Sequence, residues 1–167
     1  MIVIRELQER DIVPIAEAFK EIGWDKPVSQ YERYLSEQNS GVRKVLVAIQ
    51  DKVFAGYLTI ILESFYPPFK AERIPEINDF NVLPKFRRKS IGSKLMDKAE
   101  EYVLQSSKIV GIGVGLDAEY GAAQTLYVLR GYVPDGRGIV WQNHFPKYGE
   151  QVTVDDNLNL YFTKRLS

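Results

Sequence analysis

The sequence predicts an α+β fold, and three observations carry the prediction. β-prone runs and helix-periodic segments follow one another in the order βααβββαβαββ along 167 residues. The middle of the chain, from Glu76 to Met96, reads as a strand, a basic turn and then a helix. The length suits a single domain over 1–167 with a core of its own, and the 45% hydrophobic content is ordinary for a globular chain.

Ile2–Glu6 forms the first strand. Ile12, Ile15, Ala16 and Phe19 recur at helical spacing, with Asp11 as the cap, Pro14 in the first turn and Gly23 as the stop. Ser29-Gln30-Tyr31-Glu32 is a capping-box pattern opening a second helix, whose Tyr31, Tyr34 and Leu35 share a face and read as core. Val45–Ile49 and Val53–Leu62 read as a hairpin turning through Gln50-Asp51-Lys52, and Gly56 marks a bulge or a close backbone approach. Glu63–Arg73 reads as a loop whose Phe65, Tyr66 and Phe69 pack it down or wall a substrate site.

In the central segment Ile91, Leu95, Ala99, Tyr102 and Val103 share one helical face. The turn before it carries Lys85, Arg87, Arg88 and Lys89, followed by the small residues Ser90, Gly92 and Ser93. A helix start offers free N–H groups and the positive end of a dipole, and arginines add charge-assisted hydrogen bonds. The physical reading is a phosphate or pyrophosphate site, although a solvated basic turn has the same composition.

Ile109–Leu116 is a further strand. Its Gly111-Ile112-Gly113-Val114-Gly115 lies within the strand rather than in a strand-to-helix turn, so it is no dinucleotide fingerprint; the glycines let a neighbouring element approach or weaken pairing. Glu119–Arg130 is a helix ended by Gly131. Pro134–Gly138 is a turn cluster, Ile139–Trp141 a short strand, Asn143–Asp156 a polar loop and Asn157–Lys164 the last strand, with Leu158, Leu160 and Phe162 on one face.

Arg87-x-x-Ser90-x-Gly92 resembles the Gln/Arg-x-x-Gly-x-Gly/Ala signature of the GNAT superfamily of N-acetyltransferases, with Ser90 where that family usually has its first glycine. Ala123-x-x-Leu126-Tyr127-x-x-x-Gly131-Tyr132 resembles the second signature, with Tyr120 in the place of the usual Asn and Tyr132 in that of the usual Phe. Two signatures in the right relative position, within the right element order, make the resemblance cover almost the whole chain. It implies a twisted mixed sheet of about seven strands flanked by about four helices, with the paired N-terminal helices covering the substrate site.

The resemblance also implies acetyl transfer from acetyl-CoA to an amine, by direct attack on the thioester in a ternary complex. The expected acceptor is a small molecule, with a peptide N-terminus or a protein lysine left open. Coenzyme A contacts are expected at Phe80, Asn81, Val82, Arg87, Arg88, Lys89, Ser90, Ile91, Gly92, Ser93, Tyr120, Ala123 and Tyr127. A strand-end N–H near Val82 would stabilise the tetrahedral oxyanion. Glu76 is the expected base, with Asp79 in reserve should a bulge exchange the strand's faces, and Tyr127 is the expected acid toward the departing thiolate. Ser90 and Tyr120 keep a different class of reading open, a non-catalytic acyl-CoA sensor or degenerate relative. A generic anion-binding module is a third.

Composition narrows the chemistry further. Zero formal net charge and a pI near 6.6 argue against broad nucleic-acid binding. The absence of cysteine excludes disulfides and a cysteine acyl-enzyme, and with His144 the single histidine, in a loop, no metal or catalytic histidine is expected. There is no signal-peptide pattern and no apolar run of spanning length, so a cytoplasmic protein without membrane partners is expected. Oligomeric state stays open, a homodimer included.

Overall fold

The computed structural model describes all 167 residues. It contains seven strands and five α-helices. In chain order these are β1 (Ile2–Glu6), α1 (Ile12–Glu21), α2 (Val28–Asn39), β2 (Arg43–Gln50), β3 (Val53–Ile61), α3 (Pro67–Glu72), β4 (Glu76–Val82), α4 (Ile91–Leu104), β5 (Ile109–Gly115), α5 (Gly121–Leu129), β6 (Val133–Trp141) and β7 (Leu158–Arg165). The strands form a mixed sheet in the order β1-β2-β3-β4-β5-β7-β6. The α+β class therefore holds. No helix is long and apolar enough to cross a membrane.

The chain divides into two compact units. The first comprises Met1–Leu62 and Ile77–Tyr102. Here β1, β2 and β3 are antiparallel neighbours, and the β2–β3 turn places Asp51 and Lys52 at φ 50° and 70°, the left-handed pair of a tight hairpin. Leu7, Ile12, Ile15, Phe19, Tyr31, Tyr34, Val45, Val47 and Tyr57 make its core, so α1 and α2 cover one face of β2 and β3. Burying a large apolar side chain of this kind stabilises by about 1.5–3 kcal/mol, which anchors both helices.

Two expected caps do not form. The Asp11 carboxylate does not cap α1; it takes a two-pronged bond from Arg5 (2.6 and 2.8 Å) and the Gln8 N–H (2.9 Å), tying the helix start back to β1. The pull of Arg5 wins because a bidentate guanidinium–carboxylate pair is stronger than a neutral N–H contact. Helix α2 begins one residue before Ser29, behind Pro27, so Ser29 lies inside the first turn and makes no capping bond.

Gly56 answers to both expectations made of it. The β2–β3 register shifts beside it, between Ala48 and Ile49, and a Cβ at Gly56 would lie 2.5 Å from the Asn81 carbonyl oxygen and 3.0 Å from the Val82 Cα. The Leu83 N–H bonds the Ala55 carbonyl at 2.9 Å in the same contact. Only glycine lets β3 press on the end of β4 this closely.

The second unit comprises Glu63–Glu76 and Val103–Ser167. The segment read as a loop contains α3, started by Pro67 and Pro68 and closed by Arg73 at φ 54°. Tyr66 and Phe69 are core: Tyr66 stacks on Tyr161 with ring centres 3.7 Å apart, and Phe69 meets both edge to face. Phe65 is exposed. The β5 glycines make room for these rings, since a Cβ at Gly111 would fall 2.1 Å from Phe69 and one at Gly113 2.8 Å from Tyr161. Strand β6 is longer than expected. The Pro134–Gly138 cluster lies inside it as an interruption of the ladder with β7, between Pro134 and Ile139.

Gly56→Ala is expected to destabilise the chain by about 1–3 kcal/mol, because backbone atoms of β4 rather than a flexible side chain must give way. Urea unfolding measures it; a midpoint equal to that of the unsubstituted chain would contradict the close approach.

Candidate functional site

The basic turn is shaped by its backbone. After β4 the chain makes a short 3-10 turn at Pro84–Phe86 and passes Arg87 in extended conformation. Arg88 and Ser90 then lie in the left-handed region, at φ 58° and 62°. The Lys94 N–H bonds the Ser90 carbonyl at 3.0 Å, the first full turn of α4, and the N–H groups of Ile91 and Gly92 stand ahead of that bond. Left-handed residues leading into a helix start, beside its free N–H groups, are a backbone setting suited to holding phosphate. Ser90 adopts the left-handed conformation that a glycine takes without strain, so the departure from glycine keeps the shape of the loop.

Around this turn the charged side chains differ in disposition. Arg87 donates from Nε to the Val82 carbonyl at 3.2 Å, bracing the strand end. Lys85 and Lys89 lie 5.4 Å from the Phe86 ring centre. Arg87, Arg88, Lys89 and Ser90 are all exposed, Gly92 and Ser93 partly buried, and Ile91 is core. Together these groups fit a pyrophosphate with its counter-charge in solvent reach.

Strand β4 carries a second feature. Asp79 has φ 46°, a left-handed residue inside a strand and so a local irregularity in it. Its carboxylate collects five donors. Oδ1 accepts from Lys26 Nζ (2.9 Å) and Asn81 Nδ2 (2.8 Å); Oδ2 accepts from Gln30 Nε2 (3.0 Å), Tyr34 Oη (2.8 Å) and the Tyr57 hydroxyl. Tyr31 donates to the Tyr57 oxygen at 3.4 Å, and Arg43 lies 4.3 Å from the Tyr34 ring centre, itself held by Glu37 and Thr59.

Burial alone would raise the Asp79 pKa. The Lys26 charge and the hydrogen bonds from Tyr57, Lys26 and Tyr34 more than offset it and hold the carboxyl below the usual carboxylate range. Burial, then the negative Asp79, pushes the Tyr57 phenol well up, so the tyrosine keeps its proton and donates it.

Glu76, at the start of β4, is 5% exposed, and the Ser64 hydroxyl donates to its carboxylate while also accepting from the Tyr66 N–H. It is a buried, bonded group rather than a solvated strand-end carboxylate. In the second unit Tyr120 lies across Gly115, where a Cβ would fall 2.3 Å from its ring, and its hydroxyl donates to Asp156 at 2.8 Å. Tyr127 is 4% exposed and its ring lies 6.0 Å from that of Tyr132. Its hydroxyl enters none of the side-chain hydrogen bonds that tie Tyr31, Tyr34, Tyr57, Tyr66 and Tyr120. Burial raises its pKa, with a smaller push from Tyr120. Ala123 is partly buried on the first turns of α5. His144 is exposed and pairs with Glu150 at 3.3 Å.

The family model described as "Acetyltransferase (GNAT) family" matches residues 9–132. The chain belongs to this family. A curated Archaeoglobus fulgidus protein described as an uncharacterized N-acetyltransferase is 34% identical to this GNAT chain over 92 residues, 54% of this chain and 60% of the relative, so the match spans less than two thirds of that protein's length. Among solved structures, a ribosomal-protein-alanine N-acetyltransferase from Brucella melitensis superposes with a TM-score of 0.71 at 18% identity, covering 98% of this chain and 99% of that one. A Salmonella typhimurium structure holding its cofactor acetyl-CoA superposes with a TM-score of 0.70 at 17% identity, covering 99% and 94%. These likenesses establish the GNAT fold.

Reasoning from sequence placed the basic turn and named Asp79 as a reserve carboxylate, but it passed over Lys26, Gln30 and Tyr57. The usable signal was Asp79-x-Asn81 inside a strand together with Gln30 and Tyr34 one helical turn apart. Tyr31 and Tyr34 are core by their rings, as read, while the Tyr34 hydroxyl serves Asp79.

A carboxyl with a depressed folded pKa stabilises above its unfolded value of ~3.9, and that stability is lost as pH falls through the lower folded value. Asp79→Asn is therefore expected to cost roughly 2–4 kcal/mol near neutrality, and the deficit against the unsubstituted chain should shrink at about pH 3. Urea midpoints of the two proteins at both pH values measure this; a deficit that grows in acid would contradict the assignment.

Proposed function

We propose that this GNAT chain is an acetyl-CoA-dependent N-acetyltransferase, a single domain over 1–167 that passes the acetyl group directly to an amine, with a small molecule as acceptor. The observation that carries the reading is the loop from Arg87 to Ser93, with left-handed Arg88 and Ser90 turning N–H groups outward where β4 ends and α4 begins. Acetyl-CoA, when bound, supplies an activated thioester. The backbone N–H groups of residues 88–93 would hold its pyrophosphate, with Arg88 adding charge. Arg87 fixes the Val82 carbonyl, and so orients the strand end whose N–H is offered to the developing oxyanion. Phe80 and Asn81 would flank the acyl end, and Tyr120 and Ala123 the arm.

An amine near pH 7 is mostly protonated and must lose a proton before attack. Glu76 is proposed as the proton's destination, with Asp79 second. The Lys26 charge and its neighbours' hydrogen bonds lower the affinity of Asp79 for a proton, while Glu76 is held by the Ser64 hydroxyl. For Tyr127, an ordinary phenol lies ~1.5 units above a thiol-like leaving group, about 2 kcal/mol uphill, and burial adds to that. Its proposed role is accordingly to donate a hydrogen bond to the departing sulfur, with complete proton transfer the costlier course. The shape kept by Ser90 supports CoA binding, which an enzyme and a sensor share.

Arg87→Ala/Arg88→Ala is expected to weaken CoA binding by about 1.5–3 kcal/mol, and Gly92→Val to weaken it through crowding of the loop. Calorimetry with CoA decides, and an affinity unchanged in both variants would remove the loop from the site.

Thiol release from acetyl-CoA over a panel of amines separates enzyme from sensor, since a sensor binds CoA and releases none. With the best amine, Tyr127→Phe should bind CoA normally and lose about 10²-fold in rate, the low end for a positioned acid. A full rate, with chemistry rate-limiting, would leave Tyr127 as packing. A full rate and unchanged pH profile in Glu76→Gln would exclude Glu76 as base.

A further inference from the structure

The Asp79 cluster is built like a receptor for a primary ammonium, and the chain's own Lys26 occupies it. Nζ of Lys26 contacts Asp79 Oδ1 at 2.9 Å and the Tyr57 hydroxyl at 3.1 Å, and lies 5.6 and 5.7 Å from the ring centres of Phe19 and Tyr57. Carboxylate, hydroxyl acceptor and an aromatic ring, here that of Phe19, are the three elements that recognise an alkylammonium. We propose that Lys26 is an exchangeable occupant of this site, and that an unbranched alkylammonium group of the acceptor displaces it on binding.

Two further observations support exchange. Asp79 is contacted by five donors. Four of the five stand on regular elements: Gln30 and Tyr34 on α2, Tyr57 on β3 and Asn81 on β4. Lys26 alone stands on the link between α1 and α2, after Gly23 at φ 78° and before Pro27, where the backbone bond from its N–H runs only to Trp24. The Lys26 and Asp79 side chains are 18% and 17% exposed, so the site opens to solvent.

Charge fixes the ligand class. With Lys26 withdrawn, the remaining donors are neutral amides and phenols, and the nearby Arg43 is already paired with Glu37. Only a cation restores balance, so neutral and anionic acceptors gain nothing here. Through its 2.8 Å bond to Asn81, Asp79 is joined to the strand end that the proposed transfer uses. The word acceptor rests on the acetyltransferase reading; the ammonium site itself does not.

The test uses the full chain, butylammonium chloride as probe and 1-butanol as its neutral control, with binding followed by NMR titration and stability by thermal melting. Lys26→Met should melt lower than the unsubstituted chain, be restored by butylammonium but not by butanol, and bind the probe about 10-fold or more tightly, because the internal competitor is gone. Lys26→Met/Asp79→Asn, which removes both charges, should not bind it. Equal or weaker binding by Lys26→Met, equal rescue by butanol, or a Lys26→Met chain that stays unfolded even with butylammonium present would each overturn the proposal, the last by making Lys26 a structural residue. None of these readouts needs turnover. Intact thiol release with no exchange overturns this inference alone, and exchange without thiol release overturns only the acetyltransferase reading.

Discussion

A carboxylate enclosed by protein has to be compensated, and much of the first unit is arranged around that requirement at Asp79. Desolvation of the anion alone would favour the protonated form, and the charge and hydrogen bonds of its neighbours oppose that. The compensation comes from four different elements: the α1–α2 link, α2, β3 and β4. Each donor pins the element that bears it. The side chains of α2 thus dock on the sheet twice, by apolar rings in the core and by polar tips on one anion. Asp79 itself has a positive φ inside β4, so the strand is locally irregular at the point where these donors converge.

The same strand shows how backbone conformation, rather than side-chain identity, prepares binding. Gly56 admits the β4 end, the Leu83 N–H fastens it to β3 and Arg87 grips the last carbonyl of the strand. The two left-handed residues then redirect the chain into α4. Strain of about 1–2 kcal/mol for a non-glycine residue in that region is tolerable when the flanking strand and helix are fixed on both sides, as here by Leu83, Ile91 and Leu95 in the core.

Much of this was legible in the residues. The α4 face was readable because Ile91, Leu95, Ala99 and Val103 are all fully buried, so periodicity and burial coincide. The β5 glycines were readable as close approaches, because an absent side chain implies a neighbour that needs the space. What escaped depends on partners distant in sequence. Asp11 looked like a cap until Arg5 reached it, and α3 hid behind prolines that start a helix as readily as they break one. Nothing in the local sequence singles out Lys26; only the fold brings it to Asp79, 53 residues away. Long-range charge pairing leaves no local period to detect.

Strand β6 ends the sheet order and so presents one rim of the sheet. Pro134 has no N–H to offer, and Gly136 and Gly138, at φ 82° and 78°, break the row of donors and acceptors in the middle of the strand. A rim interrupted in this way is a poor template for a further strand, so the chain is guarded at β6 against edge-to-edge aggregation. Substitutions that straighten the Pro134–Gly138 bulge would remove that guard and make concentrated solutions of the protein prone to association through this rim.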